Sequence, residues 1–590
     1  MQRGARGTRE SKNPSWTGRV RGTRRAPLAD LVLSRVFAQV CHPSSSTKSI
    51  FRFVQSIPTS VQHISFAVGP FHVVALPPTP SDAALPSMAD DQDQEDDAVK
   101  IVEEDSSQPP IHVFVLPGME DTVQISTAFI RQGMDFLTTE YGSYPFSTFN
   151  LVFVDEPVVP SSAGAAMAIF DSDLLHPKDI IDQAYETRLT LSHALAFQWV
   201  GINIVPKTWS DTWLINGLSL YITGLFLRKL LGNNEYRFRL KMDSIRCADM
   251  DNGTQHPICL PGSLDPPDAA TLPFVNLKSG LVLHILDRRL GKTGTSLGLS
   301  RVIPKIFLSA ITGDLANNAL STQAFLRMCR KVSGVDMRSF AEQWIWGSGC
   351  PSLLVTAHFN KKKMLIEMTC RQTTPAVVKL KEDPVMAGYL KPTPWFEGQM
   401  TVRIHEADGT PYEHVLDIRE GFKTYDVPFN TKYKRVRRNT KRYLARKAAA
   451  AAAAEGDADA AEAMGMLDLG FDLAIWEEEE EREKWRVADW TENEENDMVG
   501  APYEWIRLDA DFEWIANVRF DQQDFYWVSQ LQRDRDVVAQ VDVSHCPASS
   551  RSLVLSADTD ATLLPLSRRC TCSVGIRRRS TSRSSQRRSS

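Results

Sequence analysis

Two long apolar segments occupy the middle of the chain. Residues 182–200 and 213–231 carry apolar side chains at the three- and four-residue spacing of an α-helix. The second segment stops before Gly232-Asn233-Asn234, which is a typical helix end. Because each helix must bury its apolar face, the two are predicted to pack together through large side chains near their ends: Trp199, Trp209, Trp213, Leu214 and Tyr221.

The flanking sequence predicts a mixed α+β architecture. Strands at 111–115 and 149–154 with a helix around 122–139 indicate an α/β layer. Further helices are predicted near 274–290, 299–311, 321–332 and 336–346. After Gly349 the pattern changes to alternating residues, with a hairpin over 353–369 and strands near 399–405, 413–418 and 504–520. A β-sandwich is therefore predicted to follow the helical region.

The first long helix carries part of a zinc-protease motif. Such a motif needs His-Glu-x-x-His on one helical face and a more distant Glu as the third metal ligand. Here His193 is followed by Ala194 at the position of the general base and by Phe197 at the position of the second ligand. Asn216 stands at the position of the third ligand. A single imidazole does not hold zinc, so His193 is interpreted as a structural histidine.

Other catalytic arrangements are weak alternatives. Ser192 and His193 with Asp211 or Asp182 supply the residue types of a triad, but adjacent helical residues point in different directions. The remaining candidates are interpreted as packed thiols or as surface residues: Cys259, Cys350, Asp173, His176 and Glu186. No catalytic, cofactor-binding or metal-ligating residue is therefore expected.

Taken together, these motifs resemble the catalytically inert, aminopeptidase-like TBP-associated factors. Active zinc aminopeptidases carry Gly-Ala-Met-Glu-Asn where this chain has 165–169, with Ala168 in place of Glu, and the oxyanion Tyr corresponds to Asn276. The runs 504–540 and 58–71 are the most specific matches to the transcription-factor branch. The resemblance implies a thermolysin-like domain followed by a β-sandwich, no enzymatic activity, no cofactor and no small-molecule substrate.

The predicted domain boundaries follow the composition and the resemblance. Residues 1–48 are expected to be disordered or non-homologous, 49–77 to be a remnant of an N-terminal β domain, and 78–110 to be an acidic linker. The thermolysin-like domain is predicted over 111–349. The later boundaries are 350–430 and 501–526 for the β-sandwich, 431–500 for a low-complexity insertion, 527–542 for the start of a truncated helical domain lacking its partner, and 543–590 for a disordered basic tail. The two ends suggest a truncated chain of fungal type or an imperfect gene prediction.

Charge and cysteine content limit the partners and the compartment. The 590 residues carry a net charge of −5, so nucleic-acid binding cannot be argued from the total charge. The basic run 434–447 has three open interpretations: a DNA contact aided by Tyr433 and Tyr443, a nuclear-localisation signal, or a solvated spacer. Nine scattered cysteines favour a reducing compartment, and no membrane-spanning segment is expected. The resemblance implies a nuclear location, TBP and other TBP-associated factors of TFIID as partners, and a role at core-promoter (initiator) DNA. The alternatives are a divergent zinc aminopeptidase and an unrelated interaction protein with the same fold.

Overall fold

The structure is a computed structural model. It describes residues 57–77, 108–292, 298–406, 411–429, 503–534 and 536–544, together with Gln55 and the backbone of strands between residues 31 and 53. The predicted acidic linker, the low-complexity insertion with its basic run, and the basic tail therefore lie almost entirely outside the described residues.

The described elements alternate between strands and helices in the first half of the chain and are mainly strands in the second. The strands are β1 Leu31–Val32, β2 Val36–His42, β3 Ser45–Phe53, β4 Ala67–Val68, β5 His72–Leu76, β6 Ile111–Val115, β7 Phe149–Val154, β8 Ser161–Gly164, β9 Met167–Asp171, β10 Val205–Pro206, β11 Ala319–Leu320, β12 Ser352–Asn360, β13 Leu365–Thr373, β14 Gly398–Glu406, β15 Pro411–Ile418, β16 Phe422–Pro428, β17 Tyr503–Leu508 and β18 Asn517–Asp521. The helices are α1 Glu120–Thr127, α2 Ile130–Tyr141, α3 Asp182–Trp199, α4 Thr212–Leu231, α5 Asn233–Met250, α6 Leu272–Gly291, α7 Leu299–Ile311, α8 Thr322–Ser333, α9 Arg338–Trp344, α10 Pro375–Lys379, α11 Pro384–Leu390, α12 Asp524–Arg533 and α13 Val537–Ser544.

The chain divides into two compact units. The first contains residues 1–230 and 259–337, and the second contains 231–258 and 338–590. This division differs from the predicted boundary at 349, because α5 packs against α13 and β18 within the second unit.

The first unit is built on a five-stranded sheet in the order β5-β6-β7-β9-β8. Strands β6, β7 and β9 are parallel, and the two edge strands are antiparallel to their neighbours. The central strand β7 has five buried residues out of six, as expected for a strand covered on both faces. Helices α1 and α2 pack against α3, which also contacts the edge strand β8.

The structure adds three observations on residues 1–77. Residues 72–76, assigned to a remnant of a separate β domain, form the edge strand β5 of this sheet, paired with β6 over His72–Leu76. Within the same predicted remnant, residues 61–68 contain a short 3-10 helix, Val61–His63, and the two-residue strand β4. Backbone pairing places strands β1 and β2 within the stretch 1–48, which was expected to be disordered or non-homologous.

The second unit contains a four-stranded sheet in the order β16-β13-β12-β18 and a three-stranded sheet in the order β15-β14-β17. The predicted hairpin is β12–β13, with Asn360 opposite Leu365 beside the turn. The interior of the unit includes a cluster of three aromatic side chains in tilted and edge-to-face contact. The ring of Trp344 lies 4.5 Å from that of Phe396 and 6.3 Å from that of Trp514.

Residues 524–544 are two helices rather than one helix without a partner. Helices α12 and α13, which we call the C-terminal helix pair, contact each other, and they contact β17 and α5 respectively. The turn between them carries Asp534 and Asp536, which accept hydrogen bonds from Trp505, Arg237 and Arg507. The segment predicted as the start of a helical domain, 527–542, thus contains two helices, and the buried carboxylates between them attach it to the second unit.

One described helical segment, 209–231, is long and apolar enough to span a membrane by length and composition alone. Most of its apolar side chains are buried inside the first unit, including Trp213, Leu214 and Leu218. It is thus the core helix that its apolar periodicity predicted.

Candidate functional site

Helices α3 and α4 are fixed by tryptophan and carboxylate hydrogen bonds at the junction between them. The indole Nε1 of Trp199 donates to the Gly142 carbonyl (3.2 Å), and that of Trp213 donates to Thr322 Oγ1 (3.0 Å). Asp211 accepts from the backbone N–H groups of Thr208 (3.1 Å) and Thr322 (2.7 Å). These contacts position the faces of α3 and α4 on which the altered motif residues lie.

The imidazole of His193 reaches across to α4. Its Nε2 lies 3.0 Å from Ser219 Oγ, and the Ser219 hydroxyl donates in turn to the Asn216 carbonyl at 2.9 Å. Which of Nε2 and the Ser219 hydroxyl donates depends on the tautomer of the imidazole. Burial lowers the pKa of His193 to about 4, so the ring is neutral at physiological pH.

The candidate serine triad is not assembled in the structure. The Ser192 hydroxyl is buried with no hydrogen-bond partner in the described residues. His193 pairs with Ser219, and the Asp211 carboxylate is used by Thr208 and Thr322. The side chain of Asp182 is outside the described set.

Phe197 fills the position of the second zinc ligand. Its ring stands between two imidazoles, 5.7 Å from the centre of His193 and 5.9 Å from the centre of His63. It also covers Gly201, which has a φ of +140° and where a Cβ atom would lie 2.5 Å from the ring. A large apolar side chain therefore occupies the space that a second imidazole would need.

The third-ligand position and the oxyanion position are joined to each other. The Asn216 Nδ2 donates to the Asn276 Oδ1 at 2.9 Å. Two neutral amides thus satisfy one another across α4 and α6, and neither supplies a charge to this region. The sequence reasoning had singled out both residues, and the structure brings them together.

A segment of the chain that sequence reasoning did not connect with this region closes it from the other side. His63 is 8% exposed, and its carbonyl accepts from the Ala165 N–H at 2.8 Å. Burial lowers the pKa of His63, although the carbonyls of Ala163 and Gly201 act against that shift. The Cβ of Ser65 would be 2.9 Å from a Cβ at Gly164, so this segment lies directly against the end of β8.

Gln198 links α3 to the turn before β9. Its Oε1 accepts from Ala166 N (3.0 Å), and its Nε2 donates to the Gly164 carbonyl (3.1 Å). Ala168 is completely buried in β9, where the aminopeptidase motif has a carboxylate. Gln198 stands within the motif, so the sequence contained a local signal for its contact with Ala166. The sequence around His63 contained no signal for the contact between His63 and Phe197.

The other sequence candidates lie apart from this region or serve packing. Cys259 and Cys350 are buried, and His176 is buried with Nδ1 3.0 Å from the Pro177 carbonyl. Within the residues that the structure describes, no group of three or more His, Cys, Asp or Glu side chains is arranged to hold a metal ion. The basic run 434–447 and its two tyrosines lie outside the described residues.

The region around His193 and Phe197 is therefore neutral and filled. Its members are two uncharged imidazoles, a phenyl ring and a pair of amides, and Ala194 and Ala168 replace the carboxylates. None of these described side chains is a carboxylate, so the set carries no negative charge. It can pack and hydrogen-bond, and it holds α3, α4, α6 and the segment around His63 together.

Comparison with known proteins identifies the relatives of this arrangement. A protein-family model described as the TAF2 Ig-like domain matches residues 348–523. Transcription initiation factor TFIID subunit 2 of Schizosaccharomyces pombe is 41% identical over 543 residues, covering 89% of this chain and 44% of that protein. The protein of the same name from Saccharomyces cerevisiae is 35% identical over 544 residues, covering 85% of this chain and 37% of its own length. The chain thus spans less than half the length of these two relatives.

Aminopeptidases share the fold at lower similarity. Alanine/arginine aminopeptidase of Saccharomyces cerevisiae is 24% identical over 275 residues, covering 45% of this chain and 30% of that protein. The crystal structure of Legionella pneumophila aminopeptidase A in complex with aspartic acid matches with a TM-score of 0.54 and 12% identity, over 84% of this chain and 44% of that one. The predicted aminopeptidase-like, multidomain α+β fold is confirmed by this likeness.

Proposed function

Because the chain belongs to the TFIID subunit 2 family, we propose that it acts as a non-catalytic scaffold subunit of TFIID in transcription initiation by RNA polymerase II. In this role it assembles with TBP and other TBP-associated factors in the nucleus, and it helps to recognise core-promoter DNA at the initiator. The single observation that carries the proposal is the filled region around Phe197, where an aminopeptidase-like fold keeps its packing without catalytic groups.

The filled region supports a scaffold over a divergent aminopeptidase. Zinc needs at least three protein ligands in a catalytic site. Only His193 remains at a ligand position, and its Nε2 is already hydrogen-bonded with the Ser219 hydroxyl. Phe197 and the Asn216–Asn276 pair occupy the other positions with neutral, satisfied groups. The two helices, by contrast, are held by structural hydrogen bonds, including those of the Trp199 and Trp213 indoles.

Metal content tests the loss of catalysis. Purified full-length chain is expected to contain far less than one zinc per chain by inductively coupled plasma mass spectrometry, and H193Q to be indistinguishable from it. Stoichiometric zinc in the wild type that is lost in H193Q would overturn the non-enzymatic assignment. Zinc that survives H193Q would instead indicate a site elsewhere in the chain, and would leave the region around Phe197 without a catalytic metal.

Affinity purification tests the assembly. The tagged full chain is expected to recover TBP and its associated factors from nuclear extract, identified by mass spectrometry. H193Q is the matched variant, because the proposed scaffold role does not use the imidazole as a ligand and recovery should be unchanged. Consistent absence of TBP-associated factors with a folded wild-type chain would remove the proposed function.

A further inference from the structure

Helices α7 and α8 carry exposed positive charge without compensating negative charge. Between residues 299 and 335 the sequence has five cations and one carboxylate, Asp314, although the whole chain has a net charge of −5. Asp314 lies after the end of α7, where it accepts a hydrogen bond from Thr312. Neither helix therefore contains an acidic residue. Soluble helices usually intersperse both signs on their exposed faces. The five cations are all exposed: Arg301 and Lys305 on α7, and Arg327, Arg330 and Lys331 on α8.

Each helix separates its cations from its buried face. Arg301 and Lys305 are four residues apart, so they are neighbours on one face about 6 Å apart along the axis. Arg327 stands in the same relation to Arg330 and Lys331. The buried faces hold only apolar or small side chains, and α7 packs against α8 within the first unit. Neighbouring helices thus carry both rows of cations.

No ion pair within the described residues neutralises these cations. Across the residues that the structure describes, none of the five forms an ion pair. Arg330 and Lys331 lie in the last turn of α8, where the helix dipole favours positive charge. Arg301 lies in the first turn of α7, where the dipole disfavours it. The half-buried Asp287 accepts from the Leu299 N–H at 2.7 Å and satisfies that end of the helix without pairing with Arg301.

We propose that the exposed faces of α7 and α8 form a sequence-independent phosphate-binding surface for duplex DNA. The inference rests on the proposed role at promoter DNA and names the surface that would serve it. Duplex DNA offers one negative charge per ~1.7 Å of its axis, and α7, with its thirteen residues, is about 20 Å long, so several phosphates can face the helix pair at once. Arg and Lys side chains are the groups that neutralise such a backbone.

An acidic protein segment is the competing partner. Leu308 and Ile311 are 59% and 71% exposed at the far end of α7, where an amphipathic acidic peptide would bring apolar side chains. The cations occupy both helices, however, whereas these two apolar residues lie on α7 alone and beyond its last cation. The distribution of charge therefore favours the extended polyanion, and the acidic peptide becomes an outcome of the test.

The test compares two double variants of the full chain with the same change in charge. K305Q/K331Q removes one cation from each helix, and K178Q/K207Q removes two exposed lysines from elsewhere in the same unit. Binding to a 30-base-pair duplex is measured by fluorescence anisotropy between 50 and 300 mM salt. Two lost phosphate contacts reduce the slope of log K against log salt by about 1.8, and weaken binding about thirtyfold at 0.15 M salt. The control pair is expected to change neither quantity.

A second variant separates binding from a structural role. R301Q is expected to weaken duplex binding about fivefold. Its melting temperature should stay unchanged or rise, because a cation unfavourable to the dipole has been removed. A loss of affinity together with a loss of stability would indicate a structural residue and would overturn the assignment of Arg301.

Three results would overturn the inference. They are an equal loss of affinity in both double variants, an unchanged salt slope in K305Q/K331Q, and a loss of polyglutamate or anionic-vesicle binding without a loss of duplex binding. A variant with the eight cations of 434–447 replaced by Gln tests the other basic region. If it alone abolishes duplex binding, the surface on α7 and α8 is excluded.

The same variants distinguish this inference from the proposed function. K305Q/K331Q is expected to recover TBP-associated factors from nuclear extract as the wild type does. Intact recovery with unchanged duplex binding would refute the surface alone, whereas failed recovery by the wild type would refute the scaffold role.

Discussion

The carboxylate of Asp536 provides the sharpest test of how the second unit is held together. It is completely buried and accepts from Arg237 Nη2 at 2.7 Å and from Arg507 Nη1 at 2.9 Å. Its other oxygen accepts from the Val538 N–H at 3.0 Å, at the start of α13. Burial alone would raise the pKa of Asp536, but the charges of Arg507 and Arg237 hold it below its ordinary value. One carboxylate thus joins α5, β17 and the C-terminal helix pair.

The substitution D536N keeps the shape and removes the charge. Two guanidinium groups then face one neutral amide, and the Arg507 side chain is only 3% exposed, so water cannot replace the lost charge. Breaking a buried ion pair on one side costs about 3–5 kcal/mol. Asp534, 3.8 Å from Arg507, keeps part of the compensation, which places the expected loss near the lower end, at about 3 kcal/mol.

Hydrogen exchange of the full chain measures this loss locally, because a two-unit protein does not give one free energy of unfolding. A loss of about 3 kcal/mol predicts roughly hundredfold faster exchange of the protected amides in residues 524–544. D417N is the matched control: Asp417 pairs with Arg419 at 2.8 Å, but these side chains are 43% and 68% exposed. Its effect should stay below about 1 kcal/mol. Exchange in D536N within threefold of the wild type would refute the network argument.

Three further predictions concern packing and pH. G201A is expected to destabilise the first unit by several kcal/mol, measured by hydrogen exchange of the protected α3 amides, because the added Cβ meets the Phe197 ring and the φ is unfavourable. G313A, with a positive φ but open space, should cost only about 1 kcal/mol, and equal costs would contradict a packing effect. The folded-state pKa of His193 lies near 4, below its ordinary value. The stability that depends on its neutral form should therefore be present above about pH 6.5 and be lost towards pH 4. H193Q should remove this pH dependence of stability, measured by hydrogen exchange of the α3 amides. Burial, the largest cause, and the nearby Glu513 raise the pKa of Asp509 to about 7. The contribution of Asp509 to stability therefore has the opposite sign, and it is lost as pH rises from about 4 through 7. D509N should remove this loss of stability in the second unit without changing the pH response of the α3 amides.

Local periodicity predicted the elements well, because an amphipathic helix or a hairpin is specified by neighbouring residues. Helix α7 spans Leu299–Ile311 as predicted, and β12–β13 is the predicted hairpin. The helix predicted over 122–139 is instead the two helices α1 and α2. The structure of residues 61–68 and of the C-terminal helix pair could not be predicted from local periodicity, because it depends on distant partners. No local pattern specifies a contact between His63 and a ring 134 positions away, or between Asp536 and Arg237.

The altered site itself was half predictable, for the same reason. The residue types at 194, 197, 216 and 276 can be read from the motif, and they indicate what the region cannot do. The contacts between the residues of this region could not be predicted from the motif. Asn216 contacts Asn276 only when α4 and α6 are packed together. Ser219 becomes the partner of His193 only when α3 and α4 are packed together.

Electrostatics explains why all the charged groups of such a site would be replaced together. In the zinc aminopeptidases that this chain resembles, the carboxylates of the motif are compensated by a divalent cation and by the substrate amine. Without the metal, a buried carboxylate is uncompensated and costs several kcal/mol, or takes up a proton. Losing the second imidazole to Phe197 therefore makes Glu at 194, 216 or 168 unfavourable, and Ala194, Asn216 and Ala168 relieve that cost. The Asn216–Asn276 hydrogen bond then stabilises α4 against α6 without any ion. By this argument, restoring N216E alone should destabilise the first unit at neutral pH and do so less at pH 4, where the carboxyl is protonated; a pH-independent effect on thermal unfolding would indicate steric strain instead.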